Sequence, residues 1–497
     1  MLFTSLEFIF CYLPIVLAGF VASFRAFGQK GATVWLAFAS LFFYGWWSAA
    51  YVPLLLGSIL FNYVSGRAID GCRAVYPLRA RWVLAVAVSC NLALLGYFKY
   101  ANFFLSTISV VTERPVPILH IVLPLGISFF TFTQIAFLVD AWKGRAREPN
   151  FWSYLLFVTW FPHLIAGPVL HHGQMMPQFK NPLTYKIRSR NAAYGVVLFV
   201  IGLAKKLLIA DPISNYAAPV FQAAASGQTL GFQSAWTGAI AYGFQLYFDF
   251  SGYSDMAVAL SMLFGVRLPI NFDSPYKSTS IAEFWRRWHM TLSQFLRDYL
   301  YIPLGGNRYG EVRRFVNLMT TMLLGGLWHG ANWTFVIWGG LHGAYLCLNH
   351  GYAKIPVRWR VGTYLPKAIV RVVSITVTWI AVTVAWVYFR ADSVHAANSM
   401  IASMAGFVDG PAWHTIFEGH RRSVFVGAVS ACFAVVWFMP NSQQIVEWIF
   451  LREHKLPARM RLIGMHALAF VCAMVLAVSI FTTFGATVDT PFLYFQF

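Results

Sequence analysis

Long apolar segments recur along the chain from residue 7 to residue 484, without a long polar linker between them. A membrane-spanning helix needs about 20 mostly apolar residues, so this pattern predicts an all-α, polytopic membrane protein with a single domain over 1–497. The candidate spans are 7–24, 33–48, 51–68, 82–104, 117–140, 151–170, 192–210, 234–264 (one helix or two shorter pieces), 315–328, 333–349, 367–389, 423–439 and 462–484.

One of these segments is interrupted by helix-breaking residues. Its sequence at 160–168, WFPHLIAGP, contains prolines and a glycine within an apolar run. Irregular backbone at membrane depth is tolerated only where it is buried in protein or lines a cavity. We therefore predict a re-entrant or kinked element here, beside an internal cavity.

The most charged part of the chain is central, at 271–314. Within it, residues 280–300 place apolar side chains three and four positions apart, from Ile281 to Phe295. Such spacing gives a helix one apolar face, and a helix of this kind lies in the membrane interface. We predict one interfacial amphipathic helix over this stretch.

Composition and charge agree with lipid as the main solvent. Of the 497 residues, 58% are hydrophobic and 11% are charged, against about 25% charged in a typical soluble domain. The formal net charge is +19. The positive-inside rule accounts for this charge without a nucleic-acid partner, and basic cytoplasmic surfaces suit anionic lipids and phosphate-bearing donors. The cysteines form no CxxC pair or Cys/His cluster, so no metal site is indicated.

The loops also predict an orientation. Arg25 and Lys30 follow the first candidate span, and no basic side chain precedes it. This asymmetry places the amino terminus outside the cytoplasm. Arg452 and Lys455 precede the last span, 462–484, and are expected inside. Both termini are then extracytoplasmic, with an even number of full crossings.

His329 lies between two apolar runs, in the sequence GGLWHGANW at 325–333, without an acidic neighbour. An ionisable group at membrane depth is costly and is a functional candidate by default. Burial disfavours the imidazolium and leaves the neutral ring that a general base requires. Asn332 or Trp333 offers hydrogen bonds nearby. Local physics therefore makes His329 a candidate base, with a buried packing histidine as the alternative.

Eight short motifs follow one another in a fixed order. They are PLGISFFTF (124–132), IAGP (165–168), GLAKK (202–206), YFDFSGYSDMA (247–257), NFDSPY (271–276), FWRRWHMTLS (284–293), YIPLGGN (301–307) and GLWHGANW (326–333). In sequence and order they resemble the membrane-bound O-acyltransferase family, in its branch of bacterial cell-envelope polysaccharide acylases. The densest part of the likeness, 245–345, is the expected catalytic core.

The resemblance implies a helical bundle with a central tunnel, broken or re-entrant helices and interfacial amphipathic helices. It implies that His329 is the essential histidine, deep in the tunnel, and that His289 is a second active-site histidine at the cytoplasmic entrance. The acyl donor would be a cytoplasmic thioester, expected to be acetyl-CoA, with no bound cofactor. A separate extracytoplasmic acetyltransferase of the SGNH, or esterase, fold would place the group on an exported polysaccharide outside the bacterial inner membrane.

Further candidates accompany the two histidines. The candidates for supporting the tunnel are Asn332, Trp328, Asp249, Tyr253 and Ser293, and the donor-side basic candidates are Arg286 and Arg287. Lys206 interrupts an apolar run, and we expect its side chain to reach the cytoplasmic interface.

Residues 462–497 comprise the last span and an external aromatic tail. The tail contains Tyr494 among phenylalanines. An aromatic anchor at the membrane boundary is one interpretation. The tail also resembles the acyl-accepting tyrosine motif of such pathways, which makes Tyr494 a candidate acyl relay.

Two other functions stay open at this point. Within the same class of enzyme, the acyl group and polymer could differ, as in D-alanyl transfer to teichoic acid. From another class, a transporter or flippase also needs broken helices and intramembrane polar groups. Such transporters often contain repeated halves, and the sequence shows no such repeat.

Overall fold

The computed structural model describes residues 1–165, 167–186, 188–356, 365–417, 422–453, 458–485 and 492–493. Within these ranges every regular element is a helix. In lipid, backbone polar groups must be satisfied inside the protein, and a helix satisfies them within one segment. Together with the apolar composition, this confirms the predicted all-α polytopic membrane fold.

The described residues form two compact units, and the first contains Met1–Val200 and Tyr253–Pro269. Its helices are α1 (Leu13–Trp47), α2 (Val52–Cys72), α3 (Pro77–Leu95), α4 (Ala101–Thr112), α5 (Ile127–Trp142), α6 (Phe151–Thr159), α7 (His172–Lys180) and most of α8 (Ser189–Ala204).

The second unit contains Ile201–Gly252 and most of the chain from Ile270 onward. Its helices are α9 (Asp211–Ala225), the first part of α10 (Phe232–Leu263), α11 (Ile281–Arg287), α12 (Met290–Leu296), α13 (Gly310–His329), α14 (Trp333–Tyr352), α15 (Lys367–Arg390), α16 (Val394–Met404), α17 (Trp413–Ile416), α18 (Arg422–Phe438), α19 (Ser442–Glu453) and α20 (Ala458–Gly485). That residues 1–497 form a single domain stays a prediction.

Within the described residues, five helical runs are long and apolar enough to cross a membrane. They are Glu7–Trp47, Ala49–Cys72, Pro77–Thr112, Ser189–Ala225 and Lys367–Arg390. A sixth is obtained if Arg422–Phe438 and Ser442–Phe450, which are bent by 58°, are one broken span. The protein therefore crosses the membrane several times.

Three predicted spans of the first unit show how glycine and proline set the helix ends. The spans predicted at 7–24 and 33–48 are confirmed as two helices that meet at Gly28 (φ 64°, ψ −156°). The chain folds back there, since Trp35 Nε1 donates to the Val16 carbonyl at 3.0 Å and the Tyr12 hydroxyl donates to the Ala39 carbonyl at 2.9 Å. The span predicted at 117–140 is wrong over 117–126, because α5 begins only at Ile127. The segment before it contains Pro115, Pro117 and Pro124, and a proline inside a helix removes a hydrogen bond and clashes with the preceding turn.

Candidate active site

The helical segment is interrupted at His289. This residue lies between α11 and α12 with φ 43° and ψ 54°, in the left-handed region that costs a residue with a Cβ roughly 1–2 kcal/mol. The single helix predicted over 280–300 is therefore wrong. Such strain persists only where the surrounding structure fixes it, and it is concentrated at functional sites.

The apolar face of this segment also differs from the prediction. Phe284 and Leu292 are each 1% exposed, and Trp288 is 3% exposed. The Trp288 ring packs against Trp386 of α15 with 5.0 Å between centroids. The face predicted to lie in the membrane interface is thus buried inside the protein, because aromatic side chains of the second unit cover it.

Asn271 fixes the turn at His289 through several hydrogen bonds. Its carbonyl oxygen accepts from the Met290 N–H at 3.0 Å. Its side-chain Oδ1 accepts from the Thr291 N–H at 3.3 Å and from the Thr291 hydroxyl at 3.0 Å. The same Oδ1 lies 3.1 Å from His289 Nδ1. Backbone and side chain of one residue therefore hold both the strained peptide and the imidazole.

These contacts determine which ring nitrogen of His289 bears the proton. The Thr291 N–H can only donate, so the Asn271 atom that it contacts is the amide oxygen, which can only accept. His289 Nδ1 must then be the donor, and in the neutral ring Nε2 presents a lone pair. His289 lies outside the candidate spans, and complete burial lowers its pKa to about 3. The ring is neutral at physiological pH and is suited to accept a proton or hydrogen bond at Nε2.

His329 is positioned by the close packing of α13 against α14. A Cβ on Gly326 would lie 2.2 Å from the Phe335 carbonyl oxygen, and one on Gly339 would lie 2.3 Å from the Met322 carbonyl oxygen. The helices can approach this closely only because both positions lack a side chain. His329 ends α13 less than one turn after Gly326, so this crossing fixes its place.

Aromatic rings surround the His329 imidazole, which is 5% exposed. Trp328, Trp338 and Phe389 present edge contacts to it, with centroid distances of 4.7, 5.0 and 5.1 Å. Trp338 in turn stacks on Trp386 at 5.8 Å. These rings exclude water from the imidazole, and a polar interaction made there is stronger than in water.

The structure brings the two predicted histidines together. The ring centroids of His289 and His329 are 6.5 Å apart, with 58° between the ring planes. Even if two ring nitrogens pointed at each other they would be about 4 Å apart, beyond hydrogen-bonding distance. One oxygen at about 2.8 Å from a nitrogen of each ring can bridge nitrogens up to about 5.6 Å apart, so the two imidazoles are close enough to act on the same reacting group.

Three support candidates adjoin the histidines and have structural contacts. Asn332 caps α14 by accepting from the Thr334 N–H at 3.0 Å, and its amide donates to the Asp392 carbonyl at 3.1 Å. Trp328 contacts both imidazoles, with its centroid 6.1 Å from that of His289. The Ser293 N–H donates to the His289 carbonyl at 3.0 Å. That any of them acts in the reaction stays a prediction.

The two donor-side arginines are in different surroundings. Arg287 pairs with Glu283 at 2.9 Å and with Asp273 at 3.5 Å, so its charge is already balanced within the protein. Arg286 is exposed, and its Nε donates to the Ala282 carbonyl at 3.1 Å. Of the two, Arg286 is the better placed to meet a phosphate from solution.

The remaining candidates lie outside the stretch from Arg286 to Asn332. Tyr253 belongs to the first unit, is buried and stacks on Phe3 with 4.8 Å between centroids. Asp249 is buried in α10 and accepts a hydrogen bond from Lys206 Nζ at 2.6 Å. The expectation that Lys206 reaches the interface is wrong, because its side chain is 3% exposed. Tyr494 lies outside the residues that the structure describes.

The sequence did not single out Asn271 as a site residue. It occurs in the NFDSPY motif, 18 positions before His289, and only the folded chain brings the two together. The available signal was the NFDSPY motif itself, which lies close to His289 in the chain and contains the amide side chain of Asn271. Across the described ranges, no group of three or more His, Cys, Asp or Glu side chains is arranged to hold a metal ion.

Comparisons with known proteins identify the family and several relatives of this chain. The family model described as membrane-bound O-acyltransferase matches residues 16–387. A peptidoglycan O-acetyltransferase of Helicobacter pylori is 41% identical over 432 residues, covering 82% of this chain and 80% of that protein. A probable alginate O-acetylase, AlgI, of Pseudomonas aeruginosa is 40% identical over 412 residues, covering 82% and 75%.

A more distant relative is a teichoic acid D-alanyltransferase of Streptococcus thermophilus, 29% identical over 242 residues, covering 46% of this chain and 57% of that protein. The family match includes both His289 and His329. It also covers most of a chain that folds as apolar helices, so the resemblance found in the motifs is confirmed. The chain belongs to the membrane-bound O-acyltransferase family, and it is an acyltransferase.

Proposed function

We propose that this acyltransferase moves an acetyl group from acetyl-CoA in the cytoplasm across the bacterial inner membrane, for O-acetylation of an exported polysaccharide such as alginate, cellulose or peptidoglycan. The observation that supports it most is the pair of buried histidines, 6.5 Å apart between ring centroids. The two relatives with about 40% identity, a peptidoglycan O-acetyltransferase and a probable alginate O-acetylase, support acetyl as the acyl group.

The chemistry needs one base and a site that excludes water. His329 takes the proton of an acceptor hydroxyl, whose oxygen attacks the thioester carbon. The C–O bond forms, the C–S bond breaks, and the imidazolium returns the proton to the departing thiolate, so that the products are an ester and a free thiol. His289, with Nε2 unprotonated, accepts a hydrogen bond that orients the hydroxyl or the donor.

The polymer does not enter the membrane, so an intermediate acceptor is required. Tyr494, which lies outside the described residues, is our candidate for that acceptor. A separate extracytoplasmic acetyltransferase of the SGNH fold would then move the group from the tyrosine to the polysaccharide. In this scheme both chain termini face away from the cytoplasm and Arg286 meets the phosphates of CoA.

The test uses the purified full chain with acetyl-CoA labelled in the acetyl group. We expect the wild-type chain to release CoA and become labelled, and His329→Ala to lose at least 100-fold in rate. A matched control is His163→Gln, since His163 is also buried but lies in the first unit, where its Nε2 contacts the Phe157 carbonyl.

The outcome distinguishes the alternatives. Labelling by His329→Ala at the wild-type rate, in a chain that still inserts into membranes, would show that the proposed base is wrong. Labelling from a D-alanyl thioester but not from acetyl-CoA would favour the activity of the teichoic acid relative. A transporter would neither become labelled nor depend on His329.

A further inference from the structure

A buried charge cluster lies in the second unit, apart from the two histidines. Lys206 Nζ contacts Asp249 Oδ1 at 2.6 Å and Asp211 Oδ1 at 2.8 Å. The Lys206 and Asp249 side chains are each 3% exposed, whereas that of Asp211 is 20% exposed. A buried ion pair is often no more stable than an apolar replacement. Stability alone therefore gives no reason for this cluster.

The cluster makes two further contacts, both with the carboxyl-terminal segment. The Leu493 N–H donates to Asp249 Oδ2 at 3.1 Å. The ring of Phe492 lies over Lys206, with Nζ 4.9 Å from the ring centroid. Phe492 is 1% exposed and Leu493 is 6% exposed. These two residues are buried on the cluster, and the contact through Leu493 uses only the backbone.

The chemistry of the cluster explains why a backbone N–H is accepted here. Lys206 contacts Oδ1 of Asp249 and Oδ1 of Asp211, while Oδ2 of Asp249 accepts the Leu493 N–H. A hydrogen bond from a donor to a carboxylate is about twice as strong as one between neutral groups, and a cation over an aromatic face is attracted to the ring. The Phe492 ring interacts with the Lys206 cation, and the Leu493 N–H donates to the Asp249 carboxylate. Neither contact adds a charge to the cluster.

The cluster adjoins the active site through α10. Phe250, the residue after Asp249, contacts the His289 ring edge to face at 4.8 Å between centroids. Successive residues of an α-helix point about 100° apart. One turn of α10 therefore contacts the carboxyl-terminal segment through Asp249 and the active-site imidazole through the next residue, Phe250.

We propose that Asp249 and Lys206 are positioning residues that dock the carboxyl-terminal segment at Phe492 and Leu493, and so present the following residue, Tyr494, to the acyl-transfer site. The presentation of Tyr494 rests on the proposed function; the docking itself does not. Because the contact at Leu493 is made by its N–H, the dock tolerates another apolar side chain of similar size at 493 but not proline, which has no N–H.

The docking is tested without any activity measurement, by hydrogen–deuterium exchange of the Leu493 amide in the full chain. We expect exchange in Asp249→Leu to be at least 10-fold faster than in the wild-type chain. Asp255→Asn is the matched control, since Asp255 is a second buried carboxylate of α10, and it should leave the exchange unchanged. Equal exchange in the wild-type and Asp249→Leu chains overturns the docking.

The positioning is tested by a backbone change that leaves the charge cluster intact. We expect Leu493→Pro to lower acetyl transfer at least 10-fold in kcat with KM for acetyl-CoA unchanged, and Leu493→Ile to keep the wild-type rate. If Leu493→Pro transfers acetyl at the wild-type rate, the positioning role is overturned. This holds even where the Leu493 amide of the wild-type chain is protected from exchange. Full transfer to polymer by Tyr494→Phe instead contradicts the tyrosine carrier, and it leaves the exchange result standing.

Discussion

His289 combines complete burial with a fixed proton position. Its Nδ1–H is held by Asn271, and burial lowers its pKa to about 3. An unfolded chain would instead give this ring its ordinary pKa of about 6.5. The difference between the two states makes His289 a source of acid sensitivity in the folded protein.

The direction of this effect follows from proton binding. In the unfolded chain, His289 binds a proton below about pH 6.5. In the folded chain, it binds that proton only near pH 3, so unfolding takes up a proton between these values. The stabilisation is therefore complete above pH 6.5 and is lost as the pH falls towards 3. We expect His289→Gln to lose less thermal stability than the wild-type chain between pH 7 and pH 5, by about 1–2 kcal/mol.

Thermal unfolding in detergent at several pH values measures this difference. Other buried histidines contribute equally to both chains, so the comparison isolates residue 289. Parallel stability curves for the two chains across this range would contradict a buried, neutral His289.

At the residue scale, the sequence indicated both histidines as candidates, but it did not indicate Asn271, which holds one of them. His329 follows from an ionisable group in an apolar run, and His289 follows from the family motif. Asn271 could not be found in this way, because its role depends on a turn that brings positions 18 residues apart into contact. Lys206 was misplaced because its partner Asp249 is 43 residues away.

Among the helices, α13 and α14 form the tightest crossing near the site. Gly339 lies against the Met322 carbonyl, where a Cβ would come within 2.3 Å. The next residue, Gly340, is different, since a Cβ there would meet Leu323 Cδ2 at 3.5 Å, an ordinary contact. The close crossing therefore requires glycine at position 339 but not at position 340.

We expect Gly339→Ala to destabilise the protein by about 1–3 kcal/mol, because backbone atoms must move to admit the methyl group. Gly340→Ala is the control and should be neutral or slightly stabilising, since alanine favours helix over glycine. The midpoint of thermal unfolding in detergent and the acetyl-transfer rate are measured for both. Equal effects of the two substitutions would contradict the close crossing.

The helix boundaries show which sequence signals are dependable. The spans predicted at 315–328, 333–349 and 367–389 each lie within an observed helix, because a long apolar run between polar ends determines both length and position. The amphipathic segment 280–300 was misjudged. Apolar periodicity shows that a face is buried but not whether lipid or protein covers it. It also cannot show that His289 adopts a left-handed backbone conformation, which ends the helix there.

At the scale of the whole molecule, the positive-inside rule gives an orientation that can be tested at Phe27. This residue is 77% exposed and lies between Arg25 and Lys30. We expect a cysteine placed at position 27, in a chain whose own cysteines are replaced, to face the cytoplasm. A membrane-impermeant maleimide should then label it only after the spheroplasts are permeabilised.

The cysteine-free parent gives the background, and the permeabilised sample shows that the thiol is reactive. Labelling of intact spheroplasts would reverse the predicted orientation of the amino-terminal segment. Sequence predicts the membrane class because composition alone requires lipid, whereas the charge cluster beneath the carboxyl-terminal segment depends on pairings between distant residues that composition does not encode.

The left-handed backbone at His289 has a consequence for mutagenesis. An alanine there would lose the imidazole and keep the conformational penalty, so its effect would mix chemistry with foldability. Glycine adopts this conformation freely and asparagine tolerates it better than most residues. A defect shared by the alanine, glycine and asparagine variants at position 289 would therefore result from the loss of the imidazole. A defect seen only with alanine would result from the cost of the left-handed backbone conformation.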